Sequence, residues 1–255
     1  MVKMRVACEA ASEILAAIRD YVQPGRTTLD VDLYARDLMA ERGCKSAFLG
    51  YVVNKIPFPG HICISLNEEV VHGIGSAARR IQPGDIVKVD VGIIKGGWVG
   101  DNATTIAAGP ISSEAIRLLK VTEEALFKGI EQARNGVPLK TLCGAIENHV
   151  RAHKMSVVKE FVGHGVGRKL HEEPQVPNYV ASGPNPRLKP GMVLAIEPMV
   201  NSGMPAVKVL KDGWTVVTAD TRLSAHFEHS VLITRGDPEI LTLRAPFTAQ
   251  VAAAV

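Results

Sequence analysis

The chain has 255 residues, of which 46% are hydrophobic and 22% charged, enough to bury a large core in one domain or in two closely joined halves. Its formal net charge of +3 comes without a Lys/Arg block, which argues against recognition of a nucleic-acid sequence, and no apolar run approaches the roughly 18 residues of a membrane span. The four cysteines, Cys8, Cys44, Cys63 and Cys143, form no CxxC pair; that excludes a zinc ribbon or a thioredoxin-like motif and implies reduced thiols in the cytoplasm.

At the N-terminus, Glu9, Glu13 and Arg19 interrupt any apolar segment of the kind a secretion signal needs. Met4, Ala7, Ala11, Leu15, Ile18 and Val22 recur at helical spacing, so the segment reads as a helix with one buried face, ending near Gln23-Pro24-Gly25. A second helix starts at Thr27-Thr28, which can cap it, and stops at Gly43. From Asp85 to Thr105 the apolar residues Val87, Val89, Val91, Ile93 and Ile94 precede Lys95-Gly96-Gly97, then Trp98 and Val99. This predicts a β-hairpin turning at Lys95-Gly96. That register sets Asp90 directly opposite Asp101 on one face, with Cβ atoms about 5 Å apart. Two carboxylates so close repel each other unless a proton or a cation lies between them.

The second half repeats the plan. Ser112-Ser113 can cap a helix running to Asn135-Gly136, and another follows from about Lys140 to Lys154 with Leu142, Ile146 and Val150 on one stripe. Gly25 and Gly136 are 111 residues apart. Downstream, Pro83-Gly84-Asp85-Ile86-Val87-Lys88-Val89-Asp90 is echoed by Pro190-Gly191-Met192-Val193-Leu194-Ala195-Ile196-Glu197 at an offset of 107. Each echo is a Pro-Gly turn, an apolar strand and a carboxylate. Two echoes in order, with near-equal offsets, favour an internal duplication with halves of about 1–110 and 111–255 in a single domain. Such halves place a site at their junction. The only compositionally biased segment is the Ala/Val-rich tail Ala249–Val255.

Three more residues join the aspartates. Glu197 ends a buried-type strand and needs a partner there. Glu228 precedes the strand Val231-Leu232-Ile233. His164 lies between glycines in Gly163-His164-Gly165-Val166-Gly167, which leaves room for a ligand to approach the backbone. That run lacks the Lys-Ser/Thr ending of a phosphate loop. Four carboxylates and one imidazole, without a thiolate, suit paired Mn, Fe(II), Co or Zn ions better than one structural zinc. His72, in a Gly-rich apolar stretch, and His171, in His171-Glu172-Glu173-Pro174, are further functional candidates. His61, His149, His153, His226 and His229 are assigned to core or surface.

The ordered set VVHGIG, VDVGIIKGGWVGDNATT, GHGVGRKLHEEPQVPN, PGMVLAIEPM and LSAHFEHSVLIT closely resembles methionine aminopeptidase type I over roughly residues 5 to 240. The resemblance implies an α+β "pita-bread" fold, two pseudo-symmetric helix-helix-strand halves around a central dimetal site. By motif position Asp90, Asp101, His164, Glu197 and Glu228 match the metal ligands, with Asp101 and Glu228 as the bridging pair. Two divalent ions (Co, Mn, Fe or Zn) are the implied cofactors. His72, His171 and Glu197 match the catalytic groups: His171 would hydrogen-bond the oxyanion, Glu197 would move the water proton, and His72 would bond near the scissile amide. His72 and His171 also handle substrate, in a pocket lined by Tyr51, Cys63 and Trp214, with Phe48 and Leu170 beside them. Cys63 reads as a pocket wall, since no base is indicated for a nucleophile.

The implied reaction is removal of the N-terminal methionine from nascent or short peptides whose second residue is small. Only thirty residues separate Glu197 from Glu228, so the large type II insertion does not fit; with no Cys/His-rich N-terminal extension, the chain resembles the short bacterial form. Implied partners are N-terminal methionyl peptides and, transiently, the ribosome, with the chain a monomer off the membrane. There are departures: VVNKIPFPGH after Tyr51 is longer than the common form, Phe48 and Leu170 replace other pocket residues, and Gly75 stands where Pro is frequent. Two rivals remain, a proline-specific peptidase of the same fold and a metal-free binding module.

Overall fold

In a computed structural model, residues 1–243 are described; the tail Ala249–Val255 lies outside the described residues. The first helix, α1, spans Val2–Tyr21 and buries Met4, Ala7, Ala11, Leu15 and Ile18 completely. Each of the larger side chains among these contributes about 1.5–3 kcal/mol by leaving water. Helix α2, Thr28–Glu41, opens on a capping box: the Thr27 hydroxyl accepts from the Asp30 N–H while the Asp30 carboxylate accepts from the Thr27 N–H. Helices α3 (Ser113–Glu131) and α4 (Leu139–Ala152) form the second pair, and Ser112 caps α3 through the Ala115 N–H. Helix α3 ends at Glu131, short of Asn135-Gly136, and the Gly136 N–H bonds the Leu188 carbonyl. Among the described residues no helix is long and apolar enough to cross a membrane.

Several contacts of the first half recur in the second. The Gly25 N–H bonds the Ile81 carbonyl as Gly136 bonds Leu188, and the bridge Thr27 to Arg80 matches that of Pro138 to Arg187. Strand Lys45–Ser46 pairs with Ile93 and Ile94, as Ser156–Val157 pairs with Val200 and Asn201. Gly84 and Gly191, both at φ 93, make the two Pro-Gly turns. The first cluster of core side chains sits between α1, α2 and the long hairpin; the second sits under α3 and α4. The hairpin's second strand joins the halves. The Thr105 hydroxyl donates to the His226 carbonyl at 2.8 Å, and the Ser230 hydroxyl to the Asp101 carbonyl at 2.7 Å.

The hairpin itself, Ile86–Lys95 with Trp98–Ala107, corrects the expected register. Lys95 pairs with Trp98, Asp90 with Ala103 and Asp101 with Gly92, so the turn is Gly96-Gly97. Both turn residues have positive φ, 58° and 77°, as a two-residue turn of this hand requires. Glycine adopts that conformation without strain, whereas a lysine at the first position would not. The aspartates are therefore diagonal neighbours, not directly opposite. The shift is two positions, and side chains alternate with period two, so both still point to the same face.

Candidate metal centre

The face carrying Asp90 and Asp101 forms the floor of a cavity of about 290 Å³ that is also lined by His164, Glu197 and Glu228. Each is placed by a strand or a strand end. Asp90 sits mid-strand, flanked by Cys63 on one side and Ala103 on the other. The Glu228 N–H donates to the Ala103 carbonyl at 2.9 Å, which holds this residue of the second half beside the aspartates of the first. One ligand oxygen from each of Asp90, Asp101 and Glu228 lies within 4.8 Å of the other two. Glu197 follows the strand Val193–Ile196, and the Asn178 amide donates to its backbone carbonyl at 3.1 Å.

His164 comes from the short strand Gly163–Gly165, packed between its neighbours Glu172–Val176 and Val193–Ile196. Its Nδ1–H donates to the Gly165 carbonyl at 2.9 Å, so the neutral ring carries its lone pair on Nε2. That nitrogen lies 3.4 Å from Glu197 Oε1 and 3.8 Å from Asp101 Oδ2. The flanking glycines have a different purpose from the one expected. A Cβ on Gly163 would meet the Ala195 carbonyl oxygen at 2.3 Å, and one on Gly165 the Glu173 carbonyl oxygen at 2.3 Å. They admit neighbouring strands, not a ligand.

The electrostatics of the floor favour a cation. Burial, reinforced by Asp101, pushes the Asp90 carboxyl well above its usual range. Burial raises Asp101 to about 7, and burial with Asp90 and Asp101 raises Glu197 strongly. The His164 ring is lowered to about 4, by burial first and then by His171, and is neutral at pH 7. Oδ1 of Asp90 and Oδ1 of Asp101 are buried without a hydrogen-bond partner among the described residues. Anionic oxygens cannot remain together in such surroundings unless protons or cations compensate them. A donor set of carboxylates and one lone-pair nitrogen fits divalent ions of the Mn, Fe, Co or Zn class.

Around the floor, His72, His171, Tyr51, Cys63 and Trp214 line the walls, with Phe48 and Leu170 beside them. His72 sits at φ 59, a left-handed conformation costing an L-residue about 1–2 kcal/mol. Its ring meets Phe161 and Trp214 edge-on, and burial lowers its pKa to about 4. The Tyr51 hydroxyl is 2.8 Å from His171 Nδ1. By donating there it leaves the neutral His171 ring with its proton on Nε2. Burial lowers the His171 pKa, which favours that neutral form. Burial also raises the Cys63 thiol well above its usual value, so it is an unreactive wall. The segment after Tyr51 is a small hairpin, Val52–Val53 with Ile56–Pro57, turning on Asn54 and Lys55 at positive φ.

One residue of the site was assigned to the core or surface by the sequence: His226. It is buried, and its Nε2 lies 3.5 Å from Glu197 Oε2. The available signal was its spacing, two residues before Glu228, which strand alternation would put on one face. The others also have partners: His61 meets Asp32, His149 meets Glu124, His153 meets the His149 carbonyl, and His229 meets Thr242.

Residues 2–235 match metallopeptidase family M24. The chain is 46% identical over 240 residues to the methionine aminopeptidase of Clostridium perfringens, covering 94% of each. It superposes on the crystal structure of methionine aminopeptidase from Thermotoga maritima with a TM-score of 0.91 and 41% identity, over 95% of this chain and 96% of that one. The prolidase from Pyrococcus furiosus shares the fold alone, at TM-score 0.76 and 24% identity over 96% of this chain and 64% of that one. The architecture common to all three is the pita-bread fold.

Proposed function

The chain belongs to metallopeptidase family M24, whose members are metal-dependent hydrolases, and from that premise we propose that it removes the N-terminal methionine from peptides whose second residue is small. The observation that carries this reading is the convergence of Asp90, Asp101, His164, Glu197 and Glu228 at the floor of a cavity with apolar and aromatic walls. The high identity to chains named methionine aminopeptidase supports the same substrate. These five residues would hold two divalent ions. Bound there, the ions would supply Lewis acidity and a water acidic enough to ionise near neutral pH.

The remaining roles belong to the chain. Glu197 accepts the water proton and passes it to the leaving nitrogen, with His226 beside its carboxylate. His171, kept neutral and oriented by Tyr51, donates from Nε2–H to the oxyanion that develops at the attacked carbonyl. His72 hydrogen-bonds near the scissile amide. Tyr51, Cys63 and Trp214 hold the unbranched thioether side chain, which adapts to an irregular cavity.

The repeated contacts at near-constant offsets support a single catalytic domain made of duplicated halves, about 1–110 and 111–255. The four cysteines, all reduced and buried, suit a cytoplasmic protein, acting as a monomer on nascent chains in transient contact with the ribosome. Steady-state kinetics on Met-Ala-Ser, Ala-Ala-Ser, acetyl-Met-Ala-Ser and Ala-Pro test the substrate. Replacing Met by Ala removes about three methylene-sized groups, worth roughly 2–3 kcal/mol, so kcat/KM should fall about 10²-fold. The acetylated peptide should be slower still. Faster cleavage of Ala-Pro than of Met-Ala-Ser would hand the site to the proline-specific rival.

A further inference from the structure

We propose that Glu124, His149 and His153 form a second metal site, on the outside of the α3–α4 pair, for one first-row divalent ion of the zinc, nickel or copper class. His149 and His153 are one turn apart at the C-terminal end of α4, so they share a face. Their ring centroids are 4.6 Å apart. Glu124 projects from α3, with its Oε2 3.1 Å from His149 Nε2. The packing of α3 on α4 through Leu142, Ile146 and Val150 fixes the distance between the helices. One donor atom from each of the three residues lies within 4.8 Å of the other two, close enough for small side-chain rotations to close them around an ion at bond lengths of about 2.0–2.2 Å.

The His153 tautomer is set for coordination, whereas His149 donates its Nε2–H to Glu124 Oε2 and must shift that proton to Nδ1 before Nε2 can bind an ion. His153 Nδ1 donates to the His149 carbonyl at 2.9 Å, which leaves Nε2 as its lone-pair nitrogen; a backbone carbonyl orients a metal-binding ring in this way. A simple ion pair with Glu124 would employ one imidazole, whereas here two converge on the carboxylate. Lys120 Nζ lies 4.0 Å from Glu124 Oε1, and Oε2 faces His149. Two imidazoles and one carboxylate select zinc, nickel or copper over magnesium and calcium, which require more oxygens. The fourth position is open to water, since the His149 and Glu124 side chains keep 17% and 38% of their surface exposed. None of the three residues lines the central cavity, so this site is independent of the peptidase reading. An ion held here ties α3 to the end of α4 and stabilises the folded chain by mass action.

Calorimetric titration of chelator-stripped protein with zinc chloride tests the site, with His149→Ala/His153→Ala and Glu124→Gln run beside the parent chain. The double variant should bind one equivalent fewer and keep its peptidase activity. Glu124→Gln should weaken that one equivalent more than about tenfold. In Asp101→Asn, which disables the cavity, the α3–α4 equivalent should persist and still raise Tm. Equal zinc stoichiometry in the parent and the double variant, or loss of the equivalent in Asp101→Asn alone, would overturn the proposal.

Discussion

The floor and the mouth of the cavity are built by different means. The floor is made of strands: Asp90 and Asp101 stand on the long hairpin, His164 on a strand held on both sides, and Glu197 and Glu228 at strand ends. Asp90, Asp101 and His164 are fixed by ladders of backbone bonds, Glu228 by its N–H on the Ala103 carbonyl, and Glu197 by the strand it follows and the Asn178 amide. The mouth is made of connections: Tyr51 next to the Val52–Pro57 hairpin, His72 in a left-handed kink, and His171 between two strands. Its geometry depends on individual side-chain interactions, such as that from Tyr51 to His171. Damage to the floor should abolish the chemistry altogether, whereas damage to the mouth should slow it only by the strength of the one interaction removed.

The largest effect separating the two regions is expected from Asp101→Asn. A neutral amide holds a divalent cation poorly, so metal analysis should find the cavity depleted and kcat/KM reduced beyond about 10³-fold, more than one oxyanion donor contributes. His171→Ala strikes the mouth: it should keep its cavity metals and lose about 10²–10³-fold in kcat. If His171→Ala emptied the cavity while Asp101→Asn did not, the two regions would have been assigned the wrong way round.

Tyr51→Phe should be milder, about 10–100-fold in kcat, the scale of removing a hydrogen bond behind a functional histidine. A KM change alone would reduce Tyr51 to a pocket wall. A smaller effect is expected on stability. In protein stripped of metal, Asp101 keeps its proton up to about pH 7 in the folded chain but releases it near pH 3.9 when unfolded. Between those values the folded state binds more protons, so its stability should fall as pH rises. The Tm of stripped protein should therefore be lower at pH 8 than at pH 5, and added Mn(II) should raise it more at pH 8. An opposite slope would remove the buried carboxylates as the dominant charge in the floor.

The same contrast explains what was legible in the sequence. Strand residues alternate, so the face shared by Asp90 and Asp101 survived a turn placed one residue too early. The helices were readable from apolar spacing and from Thr27 and Ser112 as caps, with α3 ending before the expected Asn135-Gly136. The pairing of Tyr51 with His171 joins residues 120 positions apart through no backbone ladder, and nothing local announces it. The left-handed conformation of His72 is similarly silent, because the surrounding fold imposes it on a residue with no preference for it. His226 was overlooked although strand alternation would place it with Glu228. The glycines around His164 were seen, but their reason, the approach of two strands, is tertiary.

The central claim is that metal held by the floor makes this chain a methionine-removing hydrolase. The most direct test is turnover of Met-Ala-Ser by protein stripped with chelator, with its divalent metal content measured in the same sample, before and after addition of Co(II) or Mn(II). Activity should vanish on stripping and return on addition. Full turnover in protein shown to contain no divalent metal would contradict it.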